Sequence, residues 1–420
     1  MTRLLPVFAT VAILASAGCK PPGNPTICPP APTEEPRPPE VPQADARAVV
    51  EGGNAFAIDL YKKLAAEKGN VVCSPYSVSA ALAMTYAGAR GETAAEMAKV
   101  LHIAGLTERV HAAHADLAWR LKSDPANGQP EFHVANALWG QRDYGFRPEF
   151  LSLTRTHYGA GLREVDYVRD TEGARKTING WVGEQTRGKI PELFPTPPPM
   201  ILDTYTRLVL TNAIYFKGSW LDEFDPKLTA DDQFRVTPTK TVPVRMMNRH
   251  GTMSVHEGDG VKVVRLPYRG DAKSMLLIVP DEKIDLAAIE AKLTSEQVHE
   301  WRAGLHEADV KLQLPKFKAT GKSRLDTALK AKGMPLAFTD GEADFSGMTG
   351  GGSLHIGAVL HEAVVEVDEQ GTVATAATAV VMQKESARRV VTVRADRPFL
   401  FLLVDDVTQA ILFVGRVNSV

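Results

Sequence analysis

Thirteen consecutive residues, 371–383 (GTVATAATAVVMQ), carry neither a charge nor a proline, and Glu369 stands just before them. Straight after come Lys384, Glu385, Ser386, Ala387, Arg388 and Arg389. The first part is small and β-branched. A strand buried on both faces would accept it, since no ladder donor is missing and no charge needs a partner. It is also poor in large apolar side chains, as a surface loop is, and its charged tip offers cleavable bonds. The chemistry that suits such a stretch is to be cut rather than to cut, and then to become a strand.

Other chemistry lacks a handle. G-x-S-x-G, H-E-x-x-H, P-loop and G-x-G-x-x-G patterns do not occur, so hydrolase and nucleotide-binding readings have no motif to stand on. His102, His111 and His114 cluster loosely, and the last two could share a helix face. Two imidazoles without a third ligand read as solvent-facing polar residues, so no metal and no cofactor is expected. Asp225, Asp231 and Asp232 read as a solvated loop, and Arg120 with Lys122 is too sparse for a polyanion site. A net charge of −2 gives no field for nucleic acid.

The elements that must position this stretch begin after a targeting segment. Residues 1–18 read as a signal peptide: Arg3 is the charged flank, 4–14 the apolar run, and Ala15, Ser16, Ala17 and Gly18 the small-residue cleavage region. With Cys19 next, this resembles a bacterial lipobox, in which the thiol is diacylated. Ser16 departs from the leucine usual there, and a plain secretory signal with an incidental Cys19 is the alternative. Residues 19–45 are proline-dense and cannot bury a core, so they read as a tether. Cys28 lies in the tether and Cys73 in an apolar run; either the two are bridged or Cys73 is a buried, inert thiol.

Residues 46–420 show no linker-like break and read as one domain. Helical spacing marks 47–64, 77–87, 93–101 and 171–186. Strand-like runs are 131–139, 208–216, 242–247, 262–267, 274–279, 310–314, 361–367, 390–393, 399–404 and 411–417. Helices dominate early and strands late, without regular βα alternation. This predicts an α+β fold with large, mainly antiparallel sheets. Residues 195–199 mark a turn, and nothing past the N-terminus is long and apolar enough to span a membrane.

Specific runs carry a family resemblance. NVVCSPYS (70–77), AGARGET (87–93), INGWV (178–182), TRGKI (186–190), TNAIYFKGSW (211–220), LPKF (314–317), ADFSG (343–347), HEA (361–363), EQGT (369–372) and RPFLF (397–401) follow one another as in the serpins. The resemblance implies a metastable fold with helices, large sheets and an exposed reactive loop, about 369–396, above a five-stranded sheet. A serine protease, or alternatively a cysteine protease, would attack the loop and form an acyl-enzyme. The cut loop would insert as a central strand and strand the protease covalently. This is the role of a suicide inhibitor, monomeric and without turnover of its own. A non-inhibitory binding or scaffold serpin is the alternative.

Residue by residue, the resemblance makes Glu369, Gly371, Thr372, Ala374, Ala376, Ala377 and Thr378 the hinge, with Thr372, Ala374, Ala376 and Thr378 facing inward. Val373 and Thr375 depart from the family pattern, both on the outward set. The usual count from Glu369 puts the scissile bond at Glu385–Ser386, ahead of alternatives after Lys384, Arg388 and Met382. Ser74, Ser77, Asn212 and His361 match a shutter under the sheet centre. Trp220, Lys316 and Glu369 match the breach where the loop goes in. The anchor at Cys19 would place the protein on a cell envelope, periplasmic or outer, and otherwise it is secreted.

Overall fold

A computed structural model describes residues 38, 40–122, 128–159, 161–195, 202–351, 353–372 and 389–420. The signal peptide, nearly all of the tether, the turn at 196–199, hinge residues Ala374, Ala376, Ala377 and Thr378, and all four candidate scissile positions lie outside them.

The chain opens with α1 (Gln43–Leu64), β1 (Val71–Cys73), α2 (Pro75–Tyr86), α3 (Gly91–Val100) and α4 (Arg109–Arg120). Next come β2 (Glu131–Gln141), α5 (Pro148–Tyr158), β3 (Arg163–Val165), α6 (Thr171–Gln185) and β4 (Leu208–Ser219). The middle holds β5 (Ala230–Thr237), β6 (Lys240–Gly258), β7 (Val261–Pro267), β8 (Lys273–Pro280), α7 (Leu286–Lys292) and α8 (Ser295–Ala303). The last third holds β9 (His306–Pro315), β10 (Phe317–Arg324), α9 (Asp326–Lys332), α10 (Ser346–Thr349), β11 (Ala358–Val367), β12 (Gly371–Thr372), β13 (Val390–Arg394), β14 (Phe399–Asp405) and β15 (Ile411–Val417).

Helices α2 and α6 start where the sequence supplies caps. Ser74 accepts from the Ser77 amide with Pro75 at the first helical position, and Asp170 accepts from the Gly173 amide. α1 starts at Gln43 rather than at 47, so the last tether positions form its first turn. Asp45 in that turn is held by Arg109 of α4 at 2.8 Å, a tertiary partner that composition does not reveal. Cys73 is a free, fully buried thiol, and Cys28 lies outside the described residues.

Two sheets organise the domain. The larger runs β1-β15-β14-β8-β7-β6-β9-β13, with β5 added on β6, and is antiparallel except where β13 meets β9. The smaller runs β10-β11-β12-β4-β2-β3. Its centre is unusual. β11 and β4 pair directly and in parallel from Ala358↔Val209 to Val364↔Tyr215. Beyond that point they part, and β12 is wedged between them, antiparallel to both through Val367↔Thr372, Gly371↔Ser219 and Thr372↔Gly218. Apart from this wedge the sheet has five strands, as the resemblance implies. β4 is buried on both faces for nearly its whole length, which its continuous apolar run dictates.

Two expectations fail. His111 and His114 do not face solvent: α4 packs on α5, and both rings are buried against Tyr158, whose hydroxyl lies 2.8 Å from His111 Nδ1. Burial holds His111 down to about 3 and His114 down to about 4. Asp231 and Asp232 are not a loop but part of β5. Both carboxylate oxygens of Asp232 accept from Arg394 Nη2 (2.9 and 2.7 Å), and Asp231 pairs with Arg245 at 2.8 Å.

The wedge depends on a glycine. Gly371 sits at φ 151°, and a Cβ there would meet the Gly218 carbonyl oxygen at 2.0 Å. Gly371→Ala should lower the denaturant midpoint, since a non-glycine at such a φ costs about 1–3 kcal/mol before any clash. A midpoint equal to wild type would show that β12 is not seated in this way.

Candidate functional site

The site is built where β11 and β4 separate. A tight turn returns the chain from β11 into β12: the Asp368 amide bonds to Gly371 O (2.9 Å), and Asp368 Oδ1 accepts from the amides of Gln370 (2.9 Å) and Gly371 (3.2 Å). Trp220, immediately after β4, fastens that turn. Its amide donates to Gln370 O (2.9 Å) and its indole Nε1 to Asp368 O (3.1 Å), while its ring stacks on Tyr268 at 4.6 Å. The hydroxyls of Tyr268 and Thr372 lie 2.8 Å apart in a buried position at the tip of the wedge.

Glu369 is anchored from three sides. Lys316 Nζ lies 2.6 Å from its Oε2, Thr229 Oγ1 donates to its Oε1 at 2.8 Å, and its carbonyl accepts from the Phe224 amide at 2.8 Å. Burial pushes the Glu369 carboxyl up, but the bonds from Lys316, backbone and Thr229 outweigh it and hold the group below the usual carboxylate range. It is therefore an ionised, ordered anchor and not a loose surface pair.

Deeper under the same seam lies a closed polar cluster. Asn136 of β2, Asn212 of β4 and His361 of β11 stand opposite one another in register. The Ser74 amide donates to His361 Nε2 at 3.0 Å, so the ring proton sits on Nδ1 and is donated to Asn212 Oδ1. Asn212 Nδ2 donates to Ser77 Oγ (2.6 Å) and Asn136 Oδ1 (2.5 Å). Ser77 Oγ donates to Asn136 Oδ1 (2.8 Å), and Asn136 Nδ2 returns to Ser77 O (2.9 Å). Ser74 Oγ donates to Leu412 O at 2.6 Å, tying the cluster to β15. Burial brings His361 down to about 4, so the ring is neutral at pH 7, as this donor pattern requires.

The arrangement holds no nucleophile–base pair and, among the described residues, no group of side chains that could hold a metal ion. What it can do is mechanical: it fixes the first two residues of a strand between two others and pins the seam beneath them. The family model for serpins, serine protease inhibitors, matches residues 51–420. The chain belongs to the serpin family. It is 39% identical over 374 residues to the leukocyte elastase inhibitor of Bos taurus, covering 87% of this chain and 97% of that protein. Serpin B6 of Pongo abelii is 38% identical over 378 residues, covering 88% and 99%. Among solved structures, uncleaved ovalbumin superposes with a TM-score of 0.80 at 30% identity, covering 89% of this chain and 100% of that one. A thermophilic serpin, Tengpin, in its native state gives 0.80 at 27% identity, covering 88% and 94%.

For this serpin the expected residues separate into two places. Trp220, Lys316, Glu369, Gly371 and Thr372 meet at the wedge, and Ser74, Ser77, Asn212 and His361 meet below it. Sequence reasoning missed Asn136, Thr229 and Tyr268. An asparagine in the otherwise apolar VANALWG run (134–140) is the signal for the first. Thr229 and Tyr268 give none, because their partners are far off in sequence.

Two outcomes are expected. Lys316→Ala should shorten the lifetime of the intact protein on mild heating, followed on native gels as polymer or latent form; an unchanged lifetime would remove the pair from the gate. The unfolded chain protonates His361 near its ordinary value of 6.5, whereas the folded one does so only near 4. Stability should therefore fall as pH drops from 6.5 towards 4, by up to about 1.4 kcal/mol per pH unit from this group. His361→Gln should reduce the slope of urea midpoint against pH between 7 and 5, and equal slopes would mean His361 does not titrate in this way.

Proposed function

We propose that this serpin is a suicide inhibitor of serine proteases. One observation carries the reading: β4 and β11 are closed on each other for seven register pairs, while among the described residues the strand that would separate them has entered by Gly371 and Thr372. The catalytic serine of the protease adds to a carbonyl carbon of the loop, the peptide nitrogen leaves as a new amine, and an ester remains. The freed segment then runs on from Thr372 into the seam. From 373 to 385 is thirteen residues, which as a strand of about 3.3 Å each carries the esterified end roughly 43 Å. Displacement on that scale pulls the acyl group and its serine out of register with the oxyanion site, and hydrolysis of the ester stops. The Lys316–Glu369 anchor and the polar cluster at His361 serve as breach and shutter, holding the seam until cleavage.

The first bond in our reading is Glu385–Ser386, with cleavage after Lys384, Arg388 or Met382 as the other arms of one experiment. The serpin is mixed with a Glu-specific, a trypsin-like and an elastase-like protease. At least one should give a complex stable in SDS, and the mass of the released C-terminal peptide identifies the bond. The relatives named leukocyte elastase inhibitors support the elastase arm. Loop cleavage should also raise the melting temperature. Absence of any complex together with an unchanged melting temperature would leave a serpin-shaped binding protein.

Residues 1–45 support a second element of the proposal. Exported with a bacterial-type signal, the chain is acylated at Cys19 and the proline-rich tether holds the inhibitor off a membrane of the cell envelope. One acyl chain binds weakly and two bind firmly, at about 0.8 kcal/mol per buried methylene. Full-length protein should partition into the detergent phase and Cys19→Ala into the aqueous phase; equal partitioning would leave a plain secreted form.

A further inference from the structure

The seam between β4 and β11 is roofed on one face. Ile178 and Val182 of α6, with Ile190 from the segment that follows it, share one apolar cluster with Ala213 of β4 and Leu360 of β11. Anything entering the seam must pass beneath this roof. The segment is fastened firmly to α6: Arg175 donates to Phe194 O (2.8 Å) and Glu192 Oε1 (3.1 Å), and Asn179 exchanges two bonds of 2.9 Å with the Phe194 backbone.

On the far side of the seam the fastening is of another kind. Lys322 of β10 donates from Nζ to Glu192 O at 2.7 Å and lies 3.4 Å from Glu362 Oε2. Lys322 and Glu362 stand opposite each other in the β10–β11 register. The Glu362 side chain is only 12% exposed, and its Oε2 accepts no hydrogen bond, so the ammonium is its compensation. Burial pushes its carboxyl above the usual range, with Lys322 opposing. One ammonium therefore joins the strand pair on one side of the seam to the roof carried by the other.

We propose that Lys322 is a positioning residue for the trapping step, a latch that resists separation of β11 from β4 until the loop is cut. This rests on the inhibitory reading, because only an inserting strand requires the seam to open. Parting the sheet stretches the Lys322–Glu192 bond while the contacts within β10–β11 and within α6 and its following segment stay intact.

Three variants of the full chain test it. Lys322→Met keeps the apolar stem and removes the charge, Lys322→Arg restores it, and Lys322→Met/Glu362→Gln removes the stranded carboxylate as well. The readouts are heat-driven conversion of the intact protein without protease, the molar ratio of inhibitor consumed per protease trapped, and the melting temperature of the cleaved form. Lys322→Met should convert faster by about tenfold, as loss of one charge-assisted hydrogen bond implies. The molar ratio should move towards one because insertion outruns hydrolysis. Lys322→Arg should stay near wild type, the double variant should keep the acceleration, and the cleaved forms should melt together. The latch is overturned if Lys322→Met matches wild type, if Lys322→Arg is as fast as Lys322→Met, if the double variant returns to the wild-type rate, or if the cleaved form of Lys322→Met melts as far below wild type as the intact one. A wild type that traps no protease sinks the inhibitory reading instead, and the heat-driven rates still decide the latch.

Discussion

The parallel pairing of β4 with β11 is the interaction on which the rest of the molecule depends. Parallel ladders are slightly weaker per residue than antiparallel ones, and this one spans only Val209–Tyr215 against Ala358–Val364. A strand arriving between them would replace one ladder with two antiparallel ladders. Each added backbone bond contributes about 0.5–1.5 kcal/mol net, so a dozen new residues favour the opened sheet by on the order of ten kcal/mol. The closed state persists because the segment that would enter is held at both ends. Its start is clamped at Gly371 and Thr372, and β13, just after it, is bonded along β9 in the other sheet. Cutting the chain between those clamps removes the constraint.

The polar groups beneath the seam follow the same logic. A histidine, two asparagines and two serines would each be expensive to bury alone, and together they satisfy one another almost completely. Their bonds cross from β2 to β4 to β11 and down to α2 and β15, so the partners needed for solvation lie on both sides of the line that must open. Glu369 repeats the pattern at the mouth, where ionisation is maintained by Lys316 and Thr229 from different elements.

Much of this was legible in the chain. All ten strand-like runs correspond to strands, because their alternation or continuous apolarity is strong, and the four marked helices form within a few residues of expectation. The two polar clusters followed from a resemblance to a family, since nothing in the spacing of Ser74, Asn212 and His361 brings them together. The strand-like run 242–247 is six residues of a strand of nineteen, β6, because the polar second half is recruited by pairing with β9 and β7. α4 carried buried histidines that composition assigns to solvent. The aromatic face offered by Tyr158 reverses that assignment, and no local pattern announces it. Tyr268 was invisible for the same reason: its hydroxyl matters only once the turn at Asp368 delivers Thr372 to it.

The wedge also imposes a direction. β11 and β4 run the same way, and β12 opposes both, so a chain fed amino end first from the Thr372 side meets each edge with an antiparallel ladder. A chain offered tail first would lie parallel to both edges, and the slanted ladders it makes are slightly less stable per residue. The gap therefore favours one polypeptide polarity on backbone grounds alone, before any side chain is read, and a stray segment of the opposite orientation gains the weaker pairing on each side.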